Sequence, residues 1–329
     1  MRSLNPLALA LFAATAVSGI AGAQEASTIT VYTSQPTDQM TAVVEAFNRD
    51  HPDITVEVFR SGTTELMTKL QAEFAAGAPQ ADVLLIADTV AMTQLKNEDR
   101  LLAYEDAPVD GIPEALVDPD RTFFGTKLIT TGIAYNTDLV QTPPTSWADL
   151  TDPEAASGTI MPSPLYSGAA VIHVGTMTQQ PEFGWDYYEQ LADGGAVAGQ
   201  GNGTVLEAVA RGEKAYGIIV EYMPLNARKA GSPIDFVFPS EGVSVVTQPV
   251  AILAGSANEE AAKAFVDWQL GEAAQQQSVE QGYFPVLDSV SPPEGYPAVA
   301  DLNILPTDAE ALLADDQEIK TQFSDLFGG

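Results

Sequence analysis

An α/β chain of two lobes, each a mixed sheet flanked by helices and the pair joined by two hinge strands, is predicted from three features of this sequence. β-rich runs alternate with helical spacing from residue 28 onward. A middle block repeats that alternation on its own account, and after it the chain resumes the pattern of its first part. With 329 residues there is enough chain for two cores of ordinary size.

The first strand is Thr28-Ile29-Thr30-Val31-Tyr32. Met40, Val43, Val44 and Phe47 then fall on one helical face, which stops near His51-Pro52. Ile54-Thr55-Val56-Glu57-Val58 is the second strand, and Leu66, Leu70 and Phe74 mark a second helix ending at Gly77-Ala78-Pro79. The short apolar run Val83-Leu84-Leu85-Ile86, entered through Ala81-Asp82, has the character of a parallel strand buried on both faces, which completes a βαβαβ unit. Two later strands, Leu128 to Tyr135 and Val243-Ser244-Val245-Val246 into Pro249 to Leu253, flank the middle block and serve as hinges. Helical spacing returns at Ala264-Phe265-Trp268. Residues 290–297 are rich in Pro and Ser and precede a helical tail. The expected division is therefore 24–127 for the first part of lobe one, 128–245 for lobe two, 246–290 for the return, and 291–329 for a C-terminal tail packing on lobe two.

Composition narrows the function classes. Lys and Arg number 14 against 45 Asp and Glu, a formal charge of −31, yet charged residues are only 18% of the chain and hydrophobic ones 45%. That balance supports packed cores and excludes the disordered class. An acidic surface without a Lys/Arg cluster repels phosphate backbones, so nucleic acid is not an expected partner. With no cysteine there is no disulfide, no thiolate ligand, no cysteine nucleophile and no lipid-modified cysteine. Residues 1–23 read as a secretory leader: Arg2, the apolar run Pro6 to Phe12, and the small-residue site Ala21-Gly22-Ala23. The expected location is the periplasm, with the protein acting as a monomer.

Five segments carry a family resemblance: Thr30-Val31-Tyr32-Thr33-Ser34, Ala81 to Leu85, Tyr166-Ser167-Gly168-Ala169-Ala170, Asn202 to Glu213, and Ala261 to Trp268. In order and spacing they resemble the ferric-binding-protein-like branch of periplasmic solute-binding proteins of ABC importers. The resemblance implies the type II periplasmic-binding-protein fold, closing on a ligand by hinge motion, and a permease in the cytoplasmic membrane as partner. Ferric relatives hold the metal through a residue after the first strand, an acid after the third, and a tandem tyrosine pair. Here those positions are Pro36, Ala87 and Tyr222-Met223, so neither a metal nor any other cofactor is expected. Thr37, Asp38, Asp88 and Glu221 are the oxygens available if that register slips.

The resemblance also implies an anion site, at Ser167-Gly168-Ala169 opening a helix and Asn202 at the next strand–helix junction. A helix start offers free N–H groups and partial positive charge, and Gly168 lets the backbone approach. Further candidates follow the first strands: Ser34 and Gln35, then Ser61 and Thr63, which belong either to a donor turn or to a helix cap. Thr131 lies on a hinge strand. Tyr166 and Tyr222 are aromatic neighbours of the site. Asp88 and Glu221 emerge at carboxyl ends of strands, where open α/β sheets bind ligands. A carboxylate beside an oxyanion needs a positive group between them, which an organic ammonium supplies. On that argument 2-aminoethylphosphonate ranks first as ligand, followed by a phosphorylated sugar or vitamin, then ferric iron. The rival class, a secreted hydrolase, lacks support: there is no HExxH, P-loop or GxSxG, and His173 lies among apolar residues as a packed helix position.

Overall fold

The computed structural model describes residues 27–328, so the leader expected at 1–23 lies outside the described residues. In chain order the elements are β1 Ser27–Thr33, α1 Thr37–Asp50, β2 Ile54–Arg60, α2 Thr63–Ala75, β3 Val83–Leu85 and α3 Thr89–Asn97. Then come β4 Phe124–Asn136, α4 Pro153–Ser157, β5 Thr159–Pro162, α5 Gly168–Gln179, α6 Gly184–Asp193 and β6 Val197–Gly199. They are followed by α7 Asn202–Ala210, β7 Tyr216–Val220, α8 Tyr222–Lys229, β8 Ile234–Val237 and β9 Ser244–Ile252. The chain closes with α9 Glu259–Leu270, α10 Glu272–Glu280, β10 Phe284–Pro285 and α11 Ala309–Phe327.

The strands hydrogen-bond in the order β2-β1-β3-β9-β4-β7-β5-β6, with β8 and β10 also on β4. β1, β2 and β3 are mutually parallel, as are β5, β6 and β7. β4 and β9 run antiparallel to these neighbours and to each other, and they are the long strands. β9 pairs with β3 through Val250–Ile252, whereas β4 pairs with β7 through Thr131–Tyr135, so each hinge strand joins one half of the sheet to the other. The ladder between them shifts register between Gly125 and Leu128, a local irregularity of the kind that lets a sheet bend. Every residue of β4 is buried. Its expected start at Leu128 extends back to Phe124, and the two runs proposed around Val246 and Val250 form one unbroken strand.

Three apolar clusters flank this seam, one of them formed by Leu66, Leu70, Leu84, Met92 and Leu95 under α2 and α3. In the first half, Met40, Val43 and Phe47 of α1 pack with Ile29, Val31, Val83 and the α9 side chains Phe265 and Trp268. In the second, Ile133, Ile218, Ile219, Val205 and Trp147 pack beneath α5 and α6. The tail helix α11 sets Leu312, Ile319 and Phe323 into that second core, yet it also reaches α3 of the first half. On its other side Asp316, Gln317 and Lys320 line a groove against α2 and α3.

Candidate functional site

Parallel strands that each run into a helix deliver helix N-termini to one edge of the sheet, and here five of them meet. The first turns of α1 (Pro36 to Asp38), α2 (Gly62, Thr63), α5 (Ser167 to Ala169), α7 (Gly201 to Thr204) and α8 (Tyr222, Met223) line a single cavity of about 450 Å³. Four of these helices, α1, α2, α7 and α8, have no side-chain cap on their opening N–H groups. Donors in an uncapped first turn are left to whatever enters the cavity, and the aligned peptide dipoles give that space a positive potential.

The α5 turn is held in place by Asn202. Asn202 Nδ2 donates to Ser167 Oγ at 3.2 Å, Asn202 Oδ1 accepts from Val220 N–H at 3.3 Å, and Ser167 Oγ accepts from Ala170 N–H at 3.3 Å. One amide therefore fixes the starts of α5 and α7 against the end of β7. Ser34, Thr63, Tyr166, Ser167, Gly168, Ala169, Asn202 and Tyr222 all lie on the cavity wall, as do Pro36, Ala87 and Met223, the positions that the family resemblance set against a ferric site. Burial pushes the Tyr222 phenol up to about 12, so it stays protonated at neutral pH.

The other five candidates lie elsewhere. Gln35 is buried behind the wall, where its amide accepts from Lys127 Nζ and Gln248 Nε2, each at 3.3 Å. Ser61 bonds the Glu65 carboxylate rather than capping α2, whose cap position is Gly62. Thr131 faces a small void beside His173, whose ring is buried and held neutral, its pKa pushed down to about 3 by desolvation. Asp88 caps α3 through Ala91 N–H at 2.9 Å, and burial raises its carboxyl to about 6. Glu221 is fully buried; Oε2 accepts from Thr130 N–H at 2.7 Å, Oε1 has no partner, and desolvation pushes the group up to about 8. Neither acid reaches the cavity wall. The strand-end rule placed them at the right edge but does not say which way a side chain turns, and both turn into protein.

Asp38 is instead the one carboxylate, and Arg60 the one cationic side chain, among the described residues that line the cavity. Arg60 was not singled out in the sequence. Its place as the last residue of a strand, directly before the Ser61-Gly62 turn, is the signal that marks it.

The two halves touch on either side of this space. Thr64 donates from its backbone N–H to Tyr166 O at 3.4 Å and from its hydroxyl to Pro164 O at 3.3 Å. Tyr222 and Tyr283 pack with ring centroids 4.2 Å apart, and Asn226 Nδ2 donates to Gln281 O at 2.7 Å. The described conformation is thus closed over the cavity.

A family model for bacterial extracellular solute-binding protein matches residues 33–276. A probable ABC transporter periplasmic-binding protein of Sinorhizobium fredii is 26% identical over 281 residues, covering 80% of this chain and 76% of its own. Among solved structures, the periplasmic binding protein AfuA of Actinobacillus pleuropneumoniae, with exogenous fructose-6-phosphate bound, superposes with a TM-score of 0.83 at 23% identity, covering 92% of this chain and 98% of AfuA. Iron-bound HitA of Pseudomonas aeruginosa superposes at 0.79, also with 23% identity, covering 91% and 99%. At that identity the two structures establish a shared fold.

Proposed function

This chain belongs to the family of bacterial extracellular solute-binding proteins, and from that premise we propose that it is the periplasmic receptor of an ABC importer for a small organic phosphate or phosphonate. It captures one ligand between the halves at 24–127 with 246–290 and at 128–245, closes, and offers the closed form to the permease. The observation that carries this reading is the convergence of five helix starts, four of them without a side-chain cap, on a cavity holding one Arg. Such a wall suits an oxyanion.

About 450 Å³ is within the range of small-ligand pockets and leaves room beyond a head group for an organic remainder. Ser34, Thr37, Thr63, Gln200 and Thr204 add hydroxyl and amide partners suited to a polyol. We therefore rank sugar phosphates first, a choice in keeping with the fructose-6-phosphate held by AfuA. Putting an amine first rested on Glu221 and Asp88, which are turned into protein. A second reading, 2-aminoethylphosphonate, keeps one support in Asp38, a carboxylate on the wall able to pair an ammonium. Ferric iron fits poorly, because Pro36, Ala87 and Met223 bring no anionic oxygen to the cavity.

Thermal-shift titration decides among these, since a ligand that binds only the folded state raises Tm. We expect a rise with fructose or glucose 6-phosphate that exceeds any given by inorganic phosphate, thiamine or ferric citrate. A rise with ferric citrate alone would overturn the reading. Ser167→Ala should weaken the best ligand by about 1 to 2 kcal/mol, the worth of one hydrogen bond to a charged acceptor, and unchanged affinity would remove the α5 turn from the site. Asp38→Asn separates the two ligand readings. Binding of 2-aminoethylphosphonate should fall far more than that of ethylphosphonate if Asp38 holds an ammonium, and equally if it does not.

A further inference from the structure

Arg60 stands at the mouth of the cavity, where its three hydrogen bonds all go to neutral oxygens. Nε donates to Gln35 O at 3.3 Å, Nη2 to Ser34 O at 3.4 Å, and Nη1 to the Tyr166 hydroxyl at 3.2 Å. The first two belong to its own half of the molecule; Tyr166 belongs to the other. A guanidinium carries five N–H groups in a plane, so after these three bonds one remains on each Nη, the pair that grips two oxygens of one phosphoryl group. In a chain with 45 acids and 14 basic residues, Arg60 makes no ion pair with a carboxylate among the described residues.

We infer that Arg60 is the specificity-determining residue of this site: it selects a doubly charged phosphoryl or phosphonyl head group and, through Tyr166, fastens the closed form around it. The inference rests on the oxyanion reading and narrows it. Helix starts favour an anion through N–H groups and partial charges of about half a unit each, spread around the cavity wall. A full positive charge at contact distance gains from the second negative charge. It also supplies local attraction at the entrance of a protein whose net charge of −31 repels an approaching anion.

The test is calorimetry of glucose 6-phosphate and 2-aminoethylphosphonate on wild type, Arg60→Gln, Arg60→Lys and Tyr166→Phe at pH 5.5 and 7.5. A phosphate monoester loses its second proton near pH 6, so wild type should bind the sugar phosphate more tightly at 7.5. Asp38, Glu65, Tyr166 and Tyr222 are the titratable side chains around Arg60 and the space it faces, and the Arg60 variants retain all four. Arg60→Gln should weaken the better ligand about 10- to 100-fold at pH 7.5 and lose the gain with pH. Arg60→Lys should keep the gain and lose part of the affinity. Tyr166→Phe, which leaves the charge in place, should weaken binding a few-fold at both pH values. If Arg60→Gln binds as wild type does, or loses equally at both pH values, the inference falls while the anion reading stands. If wild type binds neither compound, both fall together. Because Arg60 is exposed at the end of an edge strand, the variants keep the packed interior intact.

Discussion

Replacing Gly168 by alanine should leave the ligand-free protein folded and remove most of its affinity. A Cβ on Gly168 would lie 2.8 Å from Ala87 O, 2.8 Å from Asp88 Cβ and 2.9 Å from Asp88 Oδ2. All three atoms belong to the β3–α3 junction of the opposite half, and one is backbone that no rotamer change can move aside. Gly168 does not have a positive φ, so alanine brings no backbone strain of its own. The clash lies across the contact between the halves, so it acts on the closed arrangement rather than on the packing of either half by itself. Gly62 offers the mirror-image case: its φ is −66°, and a Cβ there would sit 2.6 Å from both Tyr166 O and the Tyr166 ring. Overpacking of this kind costs about 2 to 3 kcal/mol, which appears here as roughly 30- to 150-fold weaker binding, because ligand must drive closure against it. Calorimetry with the ligand found by thermal shift measures the loss, and Tm of the free protein shows whether the fold was touched. A variant that binds as wild type would mean that the halves do not approach this closely around the ligand. Equal losses of Tm and affinity would mean that Gly168 serves packing within its own half.

The same seam shows what the sequence discloses and what it withholds. Element order was legible because each element has a local cause: the period of Met40, Val43 and Phe47, the unbroken apolar run at Val83–Leu85, the turn at Gly77-Ala78-Pro79. The cavity wall was legible wherever a strand ends and a helix starts, which is why Ser34, Thr63, Ser167 and Asn202 lie on it. Side-chain direction at a strand end has no such local signal. Glu221 follows β7 as Ser34 follows β1, yet Glu221 folds back to accept from Thr130 on the neighbouring hinge strand. That choice depends on a residue 91 positions away. Arg60 is the opposite case: its role depends on Tyr166, brought to it from the other half, and no pattern within β2 reveals that. The reach of α11 to α3 is likewise tertiary. Its apolar face indicates that it packs, but not that its polar face lies over a second neighbour.

Between pH 6 and 8 the protein should lose stability relative to its Glu221→Gln variant. Burial raises the Glu221 carboxyl from 4.5 to about 8 and Asp88 from 3.8 to about 6. For an acid raised in this way the native state keeps a proton that the unfolded chain has already released, so stability falls as pH climbs from the unfolded value to the folded one and is flat above it. For Asp88 that window closes near pH 6; for Glu221 it extends to about 8. Ordinary carboxylates finish ionising below this range. His173 and Lys127, however, pushed down to about 3 and about 7 in the folded protein, hold protons in the unfolded chain here and add a slope of opposite sign, so the acid is read from the difference between wild type and Glu221→Gln. The Glu221 shift sets an upper bound on the order of 5 kcal/mol, reduced in practice by local relaxation and water entry. Glutamine keeps an oxygen for Thr130 N–H and places an N–H donor where the protonated acid has its O–H, so Glu221→Gln should match wild type near pH 5 and be the more stable at pH 8. Glu221→Ala leaves the Thr130 N–H buried without its partner and should be destabilised by about 1 to 3 kcal/mol at every pH. Urea unfolding at pH 5, 6, 7 and 8 separates the three proteins. Profiles of wild type and Glu221→Gln that run parallel from pH 6 to 8 would show that Glu221 is ionised in the folded protein. A buried carboxylate with one free oxygen would then have to be balanced by a cation close enough to do so. Lys127, itself buried and pushed down to about 7, donates to Gln35 rather than to Glu221, which leaves the neutral acid as the form this interior accepts.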